Sequence, residues 1–190
     1  MSFTFNKESQ KLAKIALAKY PEDRKYSAVM PFLDIAQRQN NNWLSQDCIE
    51  YVATQLEMPF IKVWELVTFY AMYNTEPVGK NFVQVCTTTP CWLRGSENVV
   101  KACKEIISVN PKEVSSDNLF SWMEVECLGA CVNAPIIWID DDYYEDVDPE
   151  SARRLIKAFR NGERPEPGTM LGRQKSAPTS GLTTLIGSGE

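Results

Sequence analysis

Two pairs of cysteines, Cys86 with Cys91 and Cys127 with Cys131, constrain this chain more than any other feature. Four residues separate the first pair, three the second, and 35 lie between the pairs. The runs just ahead of them, Phe82-Val-Gln-Val85 and residues 119–126, read as β-strands. Between the strands, residues 96–107 set Val99, Val100, Cys103, Ile106 and Ile107 along one helical face. A strand-helix-strand crossover makes its two strands parallel, so their C-terminal ends lie at one edge of a sheet. The two cysteine loops are therefore expected to face each other across one site.

The chain has 190 residues and no histidine. That excludes Ser-His-Asp and Cys-His nucleophile pairs, HExxH zinc enzymes, Cys2His2 fingers, Rieske centres and His-ligated haem. Any metal here is held by sulfur or oxygen, and four converging thiolates define either structural zinc or an iron-sulfur cluster. Structural zinc favours tight knuckles with two residues between cysteines, whereas a 2Fe-2S rhomb takes two thiolates on each iron and suits these wider loops. The spacing favours iron-sulfur, with zinc kept open as the alternative. Plant-type ferredoxin fits less well, because its third cysteine would fall at position 94, which is Arg. Thr87, Thr88 and Thr89 offer donors to a buried anion, although such a run taken alone reads as a capped surface turn. Gly129 allows backbone N–H groups to approach sulfur. Cys48 and Cys103 fall on apolar helical stripes and read as core, and the absence of Cys-x-x-Cys argues against a dithiol enzyme.

Around this centre the chain divides by texture. Residues 1–80 read as a small bundle of four helices, with Leu12, Ile15 and Ala16 on one face of the first, a Ser45 cap on the third and Pro59 opening the fourth. Residues 81–160 follow a β-α-β-β-α order whose last helix opens at Asp148-Pro149. Residues 161–190 hold six of the nine glycines and three of the eleven prolines and read as an extended arm. The net charge of −5 falls wholly in residues 81–160, which carry 8 bases and 13 acids. The acidic run from Asp140 to Glu150 reads as a solvated face, and an acidic chain is a poor match for nucleic acid. Trp64, Phe69, Tyr70 and Tyr73 have helical spacing and read as core or interface. No apolar run is long enough to span a bilayer, and the start at Met1 lacks signal or transit character, so a soluble intracellular protein is expected.

Cys86-Thr-Thr-Thr-Pro-Cys91-Trp-Leu-Arg-Gly-Ser-Glu97 and Glu126-Cys-Leu-Gly-Ala-Cys-Val-Asn-Ala-Pro135 closely resemble the signatures of the NADH-quinone oxidoreductase E-type subunit family, the thioredoxin-like 2Fe-2S subunit of respiratory complex I. Val67-Thr-Phe-Tyr70 and the tail around Gly172-Arg-Gln-Lys-Ser-Ala-Pro178 are similar to the same family. The resemblance implies an α+β or α/β chain: a small N-terminal helical bundle, a thioredoxin-like 2Fe-2S ferredoxin domain and an extended C-terminal arm. It implies that Cys86, Cys91, Cys127 and Cys131 ligate one low-potential 2Fe-2S cluster that exchanges electrons with FMN in a partner subunit. That partner would carry the NADH site, beside an adjacent iron-sulfur subunit. Neither GxGxxG nor GxxxxGK[ST] occurs, so the chain alone is not expected to oxidise NADH. The implied location is the cytoplasmic side of the inner membrane, or the matrix side in a mitochondrion. The equivalent subunits of NAD-linked hydrogenases and formate dehydrogenases carry the same features.

Overall fold

In the computed structural model, which describes residues 3–181, the chain forms two compact units, Met1–Val78 and Gly79–Glu190. The first is helical. Helix α1 (Lys7–Leu17) is capped by the Asn6 side chain, which accepts from the Ser9 N–H. Helix α2 (Val29–Gln39) follows a 3-10 turn over Glu22–Ala28. Helix α3 (Gln46–Gln55) carries the expected Ser45 cap on the Cys48 N–H, and α4 (Phe60–Phe69) follows Pro59. Phe32, Leu33, Cys48, Ile49, Val52 and Val63 meet in one core. The face expected of α1 is rotated: Ala13 and Ala16 are buried while Leu12 and Ile15 are exposed. Small side chains let this helix lie close to α2, which a count of large apolar residues misses. Of the aromatic group, Tyr73 is buried and Phe69 is exposed.

The second unit is built on a five-stranded mixed sheet in the order β2-β1-β3-β4-β5. Its strands are β1 (Asn81–Cys86), β2 (Phe120–Val125), β3 (Ile137–Ile139), β4 (Asp142–Glu145) and the short β5 (Gly168–Thr169). β1 and β2 pair in parallel from Asn81 opposite Phe120 to Cys86 opposite Val125, as the crossover requires. β3 runs antiparallel to both β1 and β4, and β5 adds in parallel to β4. The crossover holds a short helix α5 (Thr89–Leu93) and the expected helix α6 (Ser96–Ile106); α7 (Pro149–Arg160) returns after the sheet. Alternation along the strands sends Val83, Val85, Phe120, Trp122, Ile137, Ile139 and Tyr144 into one core with Val99, Cys103, Leu155 and Ile156 of the helices. The Asp148 carboxylate caps α7 by accepting from the Ser151 N–H at 2.7 Å, and the Ser151 hydroxyl reciprocates at the Asp148 N–H. This is the expected thioredoxin-like arrangement.

Two features set the sheet edge that matters. Gly79 lies against the Phe120 backbone so closely that an added Cβ would sit 2.2 Å from its carbonyl carbon. Only glycine permits that approach, which aligns the start of β1 with β2. The arm after α7 is extended but anchored: its β5 joins the sheet, the Met170 N–H donates to the Glu145 carbonyl at 2.9 Å, and Met170 packs against the core. The part of the expected arm beyond Gly181 lies outside the described residues.

Candidate metal centre

β1 ends at Cys86 and β2 ends at Val125, two residues short of Cys127, so the parallel ladder delivers both cysteine loops to one edge. The first loop is interior. Cys86 and Cys91 are buried, and with Ala130, Ala134 and Ile136 they form a small apolar cluster that Leu128 and Tyr143 partly cover. The Cys86 N–H donates to the Ile136 carbonyl at 3.1 Å, and Cys91 is carried by α5, with Pro90 in its first turn. The second loop is a surface turn. Gly129 takes φ +82°, a short 3-10 turn follows over Cys131–Asn133, and the chain leaves through a cis Ala134–Pro135 bond. Cys127 is exposed and Cys131 half-buried.

All six cysteines are free. Cys127 and Cys131 bring their sulfurs to 3.3 Å, while Cys86 and Cys91 lie close enough for each to shift the other's ionisation. In each pair one thiol is drawn below the ordinary thiol value and the other is pushed above it. Burial alone would raise Cys86, yet donation from the Thr88 side chain and backbone and from the Leu128 N–H brings it below the ordinary thiol value. Burial and the neighbouring Cys86 push Cys91 up to about 12. The Gly129 N–H draws Cys127 down, and Cys131 is raised chiefly because its thiol hydrogen-bonds to Cys127. Two thiolates this close repel, which opposes ionising both members of a pair.

The loops are interlocked. Leu128 of the second donates its N–H to Cys86 of the first, and the Thr88 hydroxyl of the first, 3.4 Å from the Cys86 sulfur, has one proton that can serve either Cys86 or Cys127. All four expected ligands therefore lie at one edge, arranged as two pairs. Among the described residues, no group of three or more Cys, Asp or Glu side chains is placed to hold a metal ion. Of the threonines, Thr88 is the one that reaches sulfur; Thr89 opens α5. Cys48 and Cys103 are buried in the helical and sheet cores, as expected of small apolar side chains.

Three features at this edge escape sequence reasoning. Tyr143 packs beside the sulfurs; burial raises its phenol, and the charges of Cys127 and Cys86 raise it further. Its signal was only an aromatic pair in a strand. Trp92, Leu93 and Val132 are exposed beside Cys91 and Cys131 in sequence. The acidic run is not wholly a solvated face: Glu145 is 3% exposed and Asp146 6%. Both are bound by arm residues, Glu145 by Ser176 and Asp146 by Arg173, which were visible in the sequence without a partner to assign.

Residues 13–160 match the family described as thioredoxin-like [2Fe-2S] ferredoxin. The chain is 54% identical over 160 residues to the E-type subunit of NADH-quinone oxidoreductase from Rickettsia bellii, covering 84% of this chain and 96% of that protein. It is 42% identical over 184 residues to the mitochondrial NADH dehydrogenase [ubiquinone] flavoprotein 2 of Dictyostelium discoideum, covering 97% of this chain and 74% of that one. Among solved structures, an NAD+-reducing [NiFe]-hydrogenase in its H2-reduced state superposes with a TM-score of 0.60 at 14% identity, covering 70% of this chain and 22% of that one. That last likeness is one of fold.

Proposed function

The chain belongs to the thioredoxin-like [2Fe-2S] ferredoxin family, within the group of NADH-quinone oxidoreductase E-type subunits, and from that premise we propose that it is the electron-transfer subunit of an NADH:quinone oxidoreductase. In this reading Cys86, Cys91, Cys127 and Cys131 hold one 2Fe-2S cluster, and FMN and NADH are bound by a partner subunit. The observation that carries the reading is the pairing of the four sulfurs at one sheet edge, two from each loop. The donor set fits the group: a binuclear iron centre takes two thiolates per iron, and these loops present two such pairs.

A bound 2Fe-2S cluster supplies a one-electron redox centre; the chain's own residues set the conditions for it. The Gly129 and Leu128 N–H groups and the Thr88 hydroxyl point at sulfur and stabilise thiolate charge without adding a titratable group. The buried cluster around Ala130, Ala134 and Ile136 limits water on the inner side. The acidic balance of residues 81–160 opposes further negative charge at this edge, so a low reduction potential is expected. The exposed Trp92, Leu93 and Val132 suit a partner that covers the outer side. Among the described residues no helix is long and apolar enough to cross a membrane, and attachment through partner subunits is proposed. Relatives at 54% and 42% identity favour the respiratory complex over a hydrogenase or formate dehydrogenase.

Anaerobic purification of the full chain with iron and acid-labile sulfide analysis, then paramagnetic resonance after dithionite, tests the reading. Two iron and two sulfide per chain are expected, with a signal from the reduced form. Cys127→Ser should lose most of the iron, whereas Cys103→Ser should retain it. Stoichiometric zinc without sulfide, or equal iron loss in both variants, would overturn the assignment.

A further inference from the structure

We infer that residues 172–176 of the C-terminal arm clamp the second sulfur loop from outside, with Arg173 as the positioning residue that holds Cys127 and Cys131 in place. The inference deepens the reading of this edge as a 2Fe-2S site and names what fixes its weaker half.

The loop needs such a clamp because it supplies little of its own. Cys127, Gly129 and Val132 are exposed, and Leu128 is half-buried. Inside the turn, the structure gives two backbone hydrogen bonds, from the Asn133 N–H to the Ala130 carbonyl and from the Ala134 N–H to the Cys131 carbonyl. Asn133, two residues past Cys131, is 1% exposed and is held from three sides. Its carbonyl accepts from the Asp146 N–H at 2.7 Å; its side-chain amide donates to Glu145 Oε2 at 2.6 Å and to the Gln174 carbonyl at 2.8 Å.

Arg173 reaches the same loop more directly. Its guanidinium grips Asp146 with two donors, Nε at 2.9 Å and Nη2 at 2.6 Å, and Nη2 also donates to the Val132 carbonyl at 3.2 Å. Asp146 is sequestered and accepts in addition from the Thr169 hydroxyl at 2.7 Å. Ser176 completes the clamp: its N–H donates to Glu145 Oε2 at 2.9 Å and its hydroxyl to Oε1 of the same carboxylate. Two buried carboxylates at the end of β4 thus tie three arm residues to the turn that carries two ligands. A planar fork is required, because a single ammonium cannot serve both carboxylate oxygens and a carbonyl in one plane. Burial would raise Asp146 on its own, and the bonds from Arg173 and Thr169 more than reverse that, as expected of a carboxylate held charged.

The experiment uses the full chain, both apo and reconstituted anaerobically with ferrous iron and sulfide. Arg173→Ala should release iron to a chelator about ten-fold faster than the unaltered chain, the scale of losing a group that orients a metal ligand. Arg173→Lys should recover part of that loss, and Arg164→Ala, which removes an ion pair to Asp140 away from the loop, should behave as the unaltered chain. In the apo form, amide exchange over residues 127–133 should quicken in Arg173→Ala and stay unaltered in Arg164→Ala. Should that variant fail to fold, Ser176→Ala decides by the same readouts with a smaller shift in the same direction. Unaltered iron release and amide exchange in the folded variants would overturn the clamp. An unaltered chain that takes up no iron and sulfide would overturn the cluster reading instead, while exchange in the apo form would still decide the clamp.

Discussion

Cys86 and Cys91 are fixed from beneath, by a parallel strand ladder, a helical turn and an apolar cluster that includes their own sulfurs. Cys127 and Cys131 leave the same sheet edge on a more exposed turn that is held by polar bonds, two of them from residues about 40 positions later. The difference teaches that four cysteines at one sheet edge can be half core and half surface. The buried half gains its order from the hydrophobic effect and resists local opening. The exposed half depends on a few charge-assisted hydrogen bonds, whose strength varies with pH and salt.

Substitutions under the two loops should separate these regimes most clearly. Ile136→Ala removes a fully buried side chain beside Cys86 and Cys91, and should cost about 3 kcal/mol in denaturant unfolding of the apo chain. Leu128→Ala, on the half-buried second loop, should cost only about 1 kcal/mol. Equal costs would mean that the second loop is as much a part of the core as the first. Gly129→Ala probes conformation instead of burial: φ is +82° with open space around a new Cβ, so a penalty of about 1 kcal/mol from left-handed backbone is expected, with no steric clash. Chemical denaturation measures that penalty, and a change much above it would show that the turn is packed.

Acid should find the second loop first. The Asp146 carboxyl is held below the ordinary carboxylate range: burial opposes this, and Arg173 and Thr169 outweigh burial. A depressed folded pKa contributes stability that is fully present above the unfolded value, about pH 4, and is lost as pH falls through the folded value. Amide exchange over residues 127–133 should therefore quicken below about pH 4, measured against opening in β1 under the same conditions. Arg173→Ala should flatten that dependence. If β1 and the second loop open together, the two loops form one cooperative unit and the contrast fails.

Much of this architecture was legible from local signals. The crossover announced itself through Val83 and Val85 alternating in a strand and Val99, Val100 and Cys103 recurring at helical spacing. Ser45 and Asp148-Pro149 marked helix starts by the chemistry of their side chains. What could not be read depends on partners distant in sequence. Glu145 and Asp146 look like members of a solvated acidic run until Ser176 and Arg173, 31 and 27 positions later, return to bind them, Arg173 alone bringing a charge of opposite sign. The outward turn of Leu12 and Ile15 is similar, since the small Ala13 and Ala16 decide the packing of α1. Helix α5 was hidden because five residues around a proline carry no periodicity to detect.

The clamp also has a consequence for the order in which the molecule is made. Ser176 follows Cys91 by 85 residues, so at ordinary elongation rates it is synthesised roughly ten seconds after the first sulfur pair is complete. During that interval the ladder can form and the second pair of thiols can emerge, yet their turn lacks its outer hydrogen bonds. The nascent chain thus passes through a stage in which all four sulfurs exist but only two are held. A metal delivered to the growing polypeptide would meet a half-built cradle, and one delivered after release would meet the finished one.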